Sequence, residues 1–377
     1  MKIALVGQPN SGKSTLFNHV AGYRAITSNF PGKTVKYSLS KMTLNGETSD
    51  IVDLPGSYSL TSFDLAELET RKYLLREKVD VVINVIDASL LSRGLELTLQ
   101  LLELNLPIIV CLNMVDEAKR KGINIDEKKL SQLLDVPVVT AIAHKGWGVN
   151  HLFEKAFQIG KNPKKSHHLS FSKEVEKTVE ALVKRVEEKN YAEKLNITPR
   201  FLSTKLLEND HYFIDLMKKQ DADFFEQVRQ YQTQLQQCRD RTSDVVISSE
   251  RHHLSMDLYE SVVDLSKPKL EFRDYIDNIL MHPIFGYLSL MIILYVFFHF
   301  VFQVGSLVEE PLLNFFYQWL PVLEESLGAN SLFYYIVSGI IQGLAGGVAI
   351  VLPYLFPFLL GLAILEDVGY LPRIAYL

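Results

Sequence analysis

The sequence predicts an α/β domain with a mostly parallel sheet and helices on both faces, then a small all-α domain, then α-helical transmembrane segments. Three observations support this order. Apolar runs alternate with helical patterns up to about residue 160, residues 170–266 are rich in Glu, Lys, Gln and Leu, and charged residues become sparse from Ile284 to Leu365. A chain of 377 residues exceeds one typical hydrophobic core, so several domains are expected.

The α/β domain is expected over residues 1–160. Its strand candidates are apolar runs: Lys2–Val6, Ser49–Asp53, Val79–Asp87, Pro107–Asn113 and Val136–Ala141. Its helix candidates carry apolar residues at helical spacing: Lys13–Ala21, Ser62–Glu77, Gly94–Leu104 and Asp126–Leu134. Alternation of this kind is typical of a parallel sheet covered on both faces.

A polar linker (residues 161–169) and an all-helical domain (residues 170–266) come next. Thr198 followed by Pro199 has the pattern of a helix start with proline in the first turn. The domain carries no chemical motif of its own. A plain connecting bundle is therefore the alternative to a regulatory domain.

The last third of the chain is predicted to enter a membrane. Residues 267–283 form an amphipathic entry helix in this interpretation, and residues 284–304 are long and apolar enough to span a bilayer. Residues 305–331 are expected to be an extracytoplasmic connection. Basic residues before the first span, and an N-terminus that begins with a strand instead of a signal peptide, predict that the preceding domains are cytoplasmic.

A second transmembrane or gate segment, incomplete at the end of the sequence, is expected over residues 332–377. Its glycines and prolines predict a broken helix, and broken helices at membrane depth usually border a pathway. Glu366 and Asp367 follow the broken stretch and are candidates for a cation path; the alternative is a pair of interfacial acids. His299 and Gln342 are interpreted as packing and hydrogen-bonding residues.

Bulk properties exclude several classes of protein. The net charge of −5 argues against a strongly basic nucleic-acid binder. Cys111 and Cys238 lack metal-type spacing, so neither a disulfide framework nor a thiolate metal site is predicted. Nor do His, Cys and carboxylate residues cluster at tight metal-ligand spacing.

The most specific motif is Gly7–Ser14 (GQPNSGKS), which fits G-x-x-x-x-G-K-[ST] between a strand and a helix. Backbone N–H groups of such a loop surround phosphates, and the helix N-terminus adds partial positive charge. We expect Lys13 to reach the β- and γ-phosphates and the Ser14 hydroxyl to hold Mg²⁺.

Two further motifs, in the expected order, predict a P-loop GTPase domain. Asp53–Gly56 (DLPG) ends a strand, so Asp53 would hold Mg²⁺ through water and the Gly56 N–H would sense the γ-phosphate. Asn113–Asp116 (NMVD) follows another strand. Asp116 would accept two hydrogen bonds from guanine, which adenine cannot donate, and Asn113 would tether the phosphate loop.

These motifs resemble the FeoB ferrous-iron transporter family. The resemblance also includes Asn29–Val35 (NFPGKTV), Asp53–Leu60 (DLPGSYSL), the run from Asp274 to Gly286, and the segment from Gly346 to Arg373. It implies that Thr34 is the switch threonine that contacts Mg²⁺ and the γ-phosphate. The base-capping loop departs from the family pattern, with Ile142-Ala143 in place of S-A, and the family's membrane region continues past this sequence.

The resemblance implies the N-terminal part of a Fe²⁺ importer in the cell inner membrane, multi-pass, in which the GTP state gates or drives transport. Its helical domain would be regulatory and GDI-like. The expected ligands and partners are GTP or GDP, Mg²⁺, transported Fe²⁺, the lipid bilayer, the remaining membrane half or small accessory transport proteins, and further copies of the chain, with no nucleic acid. A membrane-tethered signalling GTPase is the alternative, and a ribosome-associated GTPase would need a basic domain.

Hydrolysis is expected to be slow, because Ser57 and Tyr58 follow Gly56 where many small GTPases supply a glutamine. The resemblance implies that Asn10 binds K⁺ together with carbonyl groups near 27–30; alternatively, Asn10 is only a turn residue. The catalytic candidates are Asn10, Lys13, Thr34 and Gly56. The expected nucleotide contacts are Gly7, Gln8, Pro9, Asn10, Ser11, Gly12, Lys13, Ser14, Thr15, Asp53, Leu54, Pro55, Gly56, Asn113, Met114, Val115, Asp116, Ile142 and Ala143.

Overall fold

A computed structural model describes residues 1–21, 26–29, 36–44, 46–61, 65–163, 168–195, 197–268, 279–328 and 331–376. The chain divides into two compact units, Met1–Lys269 and Leu270–Leu377. The first unit contains the sheet and a helical domain, and the second contains apolar helices.

The first unit is built on a seven-stranded sheet with the order β2-β3-β4-β1-β5-β6-β8. Its strands are β1 Lys2–Gly7, β2 Ile26–Asn29, β3 Lys36–Leu44, β4 Glu47–Asp53, β5 Val81–Asp87, β6 Ile108–Asn113 and β8 Val138–Thr140. The strands from β4 to β8 in this order are parallel, which confirms the predicted sheet. The antiparallel pairings of β2 with β3 and of β3 with β4 were not predicted, because β3 (KYSLSKMTL) mixes polar and apolar residues.

Both faces of the sheet are covered by helices, as the sequence predicts. They are α1 Lys13–Ala21, α2 Leu65–Arg76, α3 Leu91–Glu103, α4 Val115–Arg120, α5 Glu127–Leu134 and α6 Val149–Lys161. Ile3 and Leu5 of β1 lie in a core shared with α1 and α6, whereas Ala4 and Val6 lie in a core shared with α3. Successive strand residues face opposite sides, so a two-sided core requires the continuous apolar runs seen here.

The helical domain consists of α7 Lys173–Glu188, α8 Tyr191–Leu195, α9 Pro199–Leu207, α10 His211–Gln220, α11 Ala222–Arg239 and α12 Ser243–Val262. The Thr198 hydroxyl accepts a hydrogen bond from the Phe201 N–H at 3.1 Å and caps α9, with Pro199 in the first turn as predicted. A short strand, β9 Val263–Leu265, pairs antiparallel with β7 Ile123–Ile125. The core of this domain is continuous with the α3 face of the sheet.

The second unit consists of α13 Phe285–Tyr317, α14 Trp319–Leu327, α15 Leu332–Leu344, a π-helical stretch Ala345–Val351, α16 Leu352–Asp367 and α17 Tyr370–Tyr376. Two of its stretches, Phe285–Leu327 and Leu332–Asp367, are long and apolar enough to cross a membrane. Only 17% and 22% of their most apolar windows are buried, so they are not core helices of a soluble domain.

The structure corrects the prediction of a broken second stretch. The backbone from Leu332 to Asp367 is helical throughout and includes a π-helical stretch where the glycines Gly346 and Gly347 lie. Proline lacks an N–H and clashes with the carbonyl four residues earlier. Pro353 lies in the first turn of α16, directly after the π-helical stretch, and Pro357 lies inside α16.

The helix that begins at Phe285 also continues beyond the predicted span of residues 284–304. It ends at Tyr317, with Pro311 inside it, so the first part of the expected connection is helical. Apolar residues continue after Val304 and favour a continued helix. Where the bilayer begins and ends stays a prediction, and residues 269–278 of the predicted entry helix lie outside the described residues.

Candidate nucleotide-binding site

The phosphate loop connects the end of β1 at Gly7 to the start of α1 at Lys13. Its backbone turns at Asn10, with a φ of 62°, and at Gly12, with a φ of 82°. A Cβ on Gly12 would collide with the Asn113 amide, so this position requires glycine for space as well as for conformation. The Ser11 N–H donates to the Gln8 carbonyl at 3.3 Å and closes the loop.

Lys13, Ser14 and Asp53 meet because β4 lies next to β1 and both strands end at the same edge. The Ser14 hydroxyl donates to Asp53 Oδ2 at 2.7 Å, and Lys13 Nζ lies 3.8 Å from Asp53 Oδ1. Asp53 Oδ1 is buried without a hydrogen-bond partner. A buried carboxylate oxygen beside a hydroxyl is a donor set that suits Mg²⁺, so these residues fit that ion.

Burial shifts the pKa values of Lys13 and Asp53. Lys13 and Asp53 are 7% and 9% exposed. Burial raises the pKa of Asp53 and lowers the pKa of Lys13, while their mutual attraction opposes both shifts. Negative phosphate oxygens near Lys13 would favour its charged form, because an opposite charge stabilises an ammonium group.

Asn113 joins the phosphate loop to the base-capping loop. Its Nδ2 donates to the Ser11 carbonyl at 2.9 Å, and its Oδ1 accepts from the Ala143 N–H at 2.9 Å. The side chain is 1% exposed, so both bonds are shielded from water. Ile142 accompanies Ala143 in this loop, and its N–H donates to the Trp147 carbonyl at 2.9 Å.

Asp116 lies in the first turn of α4, after Met114 in a left-handed conformation. Its Oδ1 accepts from the Glu117 N–H at 3.1 Å, and its Oδ2 accepts from Lys145 Nζ at 2.9 Å. Partial burial acts to raise the pKa of Asp116, but these donors outweigh it and lower the pKa below the ordinary value. Asp116 is therefore a carboxylate at neutral pH, as an acceptor of guanine N–H groups must be.

The loop after β4 lies against the phosphate loop. The Ser57 N–H donates to the Gly7 carbonyl at 3.1 Å. A Cβ on Gly56 would approach the Pro9 backbone nitrogen to 2.9 Å, so the two loops touch where a γ-phosphate would be sensed. Thr70 of α2 donates to the Pro55 carbonyl at 3.2 Å and holds the loop from the other side.

Several predicted site residues have side chains that are buried in the core, exposed, or outside the described residues. Leu54 and Val115 are buried in the hydrophobic core, so only their backbone groups would be available to a ligand. Thr15 is exposed on α1. Thr34 and Phe30 lie outside the described residues.

Glu366 and Asp367 end α16 in the second unit. Within the described ranges, no group of three or more His, Cys, Asp or Glu residues could hold a metal ion by itself. Any iron path through these acids therefore stays a prediction.

Sequence reasoning missed Lys145, which contacts Asp116. Its signal was weak, because a lysine in a surface loop usually only adds solubility. It also missed the polar residues that hold the Asp53–Leu60 loop, because they come from distant parts of the chain.

Two family models match this chain. One, described as ferrous iron transport protein B, matches residues 1–156, and the other, described as the FeoB cytosolic helical domain, matches residues 171–264. The chain belongs to the FeoB family. An Fe²⁺ transporter FeoB of Methanocaldococcus jannaschii is 32% identical over 389 residues, which cover 100% of this chain and 56% of that protein.

Solved FeoB structures share this fold. The cytosolic domain of L. pneumophila FeoB has a TM-score of 0.60 and 30% identity, covering 70% of this chain and 100% of that one. The cytosolic domain of the T. maritima FeoB iron transporter in its GMPPNP form has a TM-score of 0.58 and 28% identity, covering 70% and 99%. The chain spans about half the length of the curated FeoB relatives that it matches, from 46% to 56%.

Proposed function

We propose that this chain binds and hydrolyses GTP and forms the N-terminal part of an Fe²⁺ importer, in which the GTP state gates or drives transport. Asn113 is the observation that carries the nucleotide part, because one buried amide holds the phosphate loop and the base cap together. The GDP and GMPPNP forms of the T. maritima cytosolic domain support it.

Each side chain has a defined task in this proposal. Lys13 neutralises the β- and γ-phosphates, and Asp116 selects guanine by accepting its N–H groups. Mg²⁺, held by the Ser14 hydroxyl and by Asp53 through water, would neutralise phosphate charge. The Gly56 N–H would sense the γ-phosphate, and Thr34 would complete the switch.

Turnover is slow in this proposal, because the residues after Gly56 do not position a water. Ser57 directs its hydroxyl to the Pro55 carbonyl at 3.2 Å, and the Tyr58 side chain is 54% exposed. K⁺ held by Asn10 would supply positive charge in place of an arginine finger. A positive φ at Asn10 is also what a simple turn residue would show. Hydrolysis rates in K⁺ and in Na⁺ therefore distinguish a K⁺ ligand from a turn residue.

The nucleotide part is tested by GTP binding and hydrolysis by the purified full chain in K⁺ and in Na⁺. We expect GTP and GDP to bind, ATP not to bind, and hydrolysis to be faster in K⁺. Asn10→Ala should remove the difference between the two ions while GDP still binds. Equal rates in K⁺ and Na⁺ for the unaltered chain would refute the K⁺ role, and absent GTP binding would refute the GTPase.

The membrane part of the proposal rests on the two apolar stretches of the second unit. They would place the chain in the cell inner membrane as a multi-pass protein, with the first unit in the cytoplasm. Glu366 and Asp367 would lie along the Fe²⁺ path. Further copies of the chain, the remaining membrane half or small accessory transport proteins would complete the importer.

A further inference from the structure

A polar contact joins helices α13 and α16 in the second unit. The Tyr354 hydroxyl donates to Glu309 Oε2 at 2.5 Å, and both side chains are half-buried. The other carboxylate oxygen, Glu309 Oε1, has no hydrogen-bond or ion-pair partner among the described residues. One oxygen of this carboxylate is therefore held by the facing helix, and the other is available to a ligand.

The position of Tyr354 is set by the surface of α13. Gly305 is buried there, and a Cβ added to it would collide with the Tyr354 ring. The Phe302 ring packs against the Tyr354 ring with its edge, at a centroid distance of 5.8 Å. Glu309 lies one helical turn after Gly305, on the same face of α13. The packing of the ring therefore directs the hydroxyl at the carboxylate.

Glu309 and the acids that end α16 are too close together to reach the two opposite surfaces of a membrane. Glu309 is level with Tyr354 through their hydrogen bond, and Tyr354 lies 12 positions before Glu366 in α16. At about 1.5 Å of rise per residue, the two levels are about 18 Å apart. The hydrocarbon core of a bilayer is about 30 Å thick. Since both apolar stretches are proposed to span it, at least one of these two acids lies inside it.

Glu309 lacks a cationic partner within the described part of the second unit. The only lysine or arginine in that part is Arg373, which donates to the carbonyls of Val368 and Gly369, after the end of α16. The hydroxyl of Tyr354 satisfies one oxygen of Glu309 but carries no positive charge. Acids at membrane depth are costly, and they usually pair with a cation or mark an ion pathway. The charge of Glu309 is therefore balanced by a proton or by a bound cation.

We propose that Glu309 is a subsite for a divalent cation, in which Oε1 coordinates Fe²⁺ and Tyr354 is a positioning residue that holds the carboxylate. This inference rests on the proposed Fe²⁺ import and names a ligand of the transported ion. A carboxylate oxygen is a hard donor of the kind that divalent cations bind. A site with one protein ligand and water in the remaining positions binds weakly, which suits an ion that must leave again. In the proposed orientation, Glu309 is nearer the extracytoplasmic side than Glu366 and receives the ion first.

Labelling of the full chain in detergent with a hydrophobic carbodiimide tests this subsite. The reagent modifies a protonated carboxyl group in apolar surroundings, and mass spectrometry locates the label at Glu309. The chain is freed of metal with a chelator and labelled without oxygen at increasing Fe²⁺ concentrations. At about ten times the half-protecting concentration, labelling of Glu309 should be about tenfold slower, because the bound ion excludes the reagent by mass action. Na⁺ at the same ionic strength should not protect, which separates binding from screening.

Two variants separate the ligand from its surroundings. Tyr354→Phe keeps the ring that packs on Gly305 and removes only the hydroxyl. We expect it to raise the half-protecting Fe²⁺ concentration about tenfold, as loss of an outer partner of a metal ligand does. Glu310→Gln is the matched control, because Glu310 is the neighbouring acid on α13, is exposed, and carries the same charge. This control should leave the protection of Glu309 unchanged.

An unaltered chain whose Glu309 is unreactive without metal, or is labelled equally fast with and without Fe²⁺, would overturn the subsite. Loss of protection in Glu310→Gln would overturn it too, because the effect would then belong to the general charge of α13. Equal protection in Tyr354→Phe would overturn the positioning role of Tyr354. The assay needs neither GTP binding nor uptake. Protection of Glu309 in a chain that takes up no Fe²⁺ would therefore confirm the subsite and contradict import by this chain on its own.

Discussion

In the proposed function, Asp116 would set base specificity through the charge and the acceptor geometry of a single side chain. With asparagine in its place, the amide would donate to the O2 carbonyl of xanthine and repel the exocyclic amino group of guanine. We expect Asp116→Asn to reverse the preference between GTP and XTP by at least about 100-fold, since buried polar groups without partners carry large penalties. Competition binding with both nucleotides measures this ratio.

Lys145→Ala is the control for that substitution. It removes the partner of Asp116 Oδ2 but leaves the carboxylate, so the preference for GTP over XTP should persist. An Asp116→Asn chain that still prefers GTP would show that guanine is recognised elsewhere.

The two cysteines differ in burial, which predicts their reactivity. Cys111 is buried in β6, and burial raises the pKa of its thiol to about 12, whereas Cys238 is exposed on α11. The thiolate is the reactive form. We expect one rapidly labelled thiol per folded chain near neutral pH and a second only after denaturation. Rapid labelling of a folded Cys238→Ser chain by a maleimide would contradict the structure of β6.

At the scale of elements, α9 and α12 are joined through Glu208. Burial acts to raise the pKa of Glu208, but Arg251 and Lys205 outweigh it and hold this pKa at about 2, against an ordinary value of 4.5. The folded pKa is depressed, so the stabilisation by this carboxylate is complete above the unfolded value. It is lost as the pH falls from about 4.5 towards about 2.

Glu208→Gln should therefore destabilise the chain most at neutral pH, by roughly 3–5 kcal/mol, because it leaves buried cations without their partner. The difference in the free energy of unfolding between the two chains should narrow as the pH falls below about 4.5. Denaturant unfolding monitored by circular dichroism at several pH values measures it. A difference that is constant down to pH 3 would contradict the depressed pKa.

The elements that sequence predicted well are those with local signals. The parallel strands are continuous apolar runs, such as Val81–Asp87, and α1 follows a phosphate-loop motif, so neighbouring residues suffice to identify them. The two antiparallel strands lack that signal: β3 has no continuous apolar run, and its alternation of polar and apolar residues is interrupted at Ser40-Lys41. The continuity of the second apolar stretch was missed, because its glycines and prolines are typical helix breakers and a π-helical stretch has no simple sequence pattern.

The residues of the candidate site also fall into those that a local motif identifies and those that only the folded structure brings together. The residues proposed to bind phosphate, magnesium and the base lie in three short motifs, so the sequence alone could nominate them. The polar contacts that hold Leu60 could not be nominated, because Arg71, which donates to the Leu60 carbonyl, and its partner Asp210 are 139 positions apart and meet only after the helical domain packs on α3. Lys145 could not be distinguished from an ordinary surface lysine without the geometry of Asp116.

In the whole molecule, the first unit combines a candidate nucleotide site with a helical domain whose Lys205 contacts Thr61 in the loop after β4, and the second unit supplies apolar helices. A tethered signalling GTPase, the alternative function, would need only a featureless apolar helix as its membrane anchor. The proposed transport role rests instead on Glu366 and Asp367, which end α16 after the π-helical stretch.

Uptake of labelled Fe²⁺ by cells tests whether this chain takes part in Fe²⁺ import. The complete reading frame would be expressed in cells without their own importer, as the unaltered chain and as Lys13→Ala. We expect uptake with the unaltered chain and its loss in the variant, because in the proposed function Lys13 would neutralise the phosphates that switch the first unit. No uptake by an unaltered chain that inserts into the membrane and binds GTP would contradict Fe²⁺ import by this chain on its own.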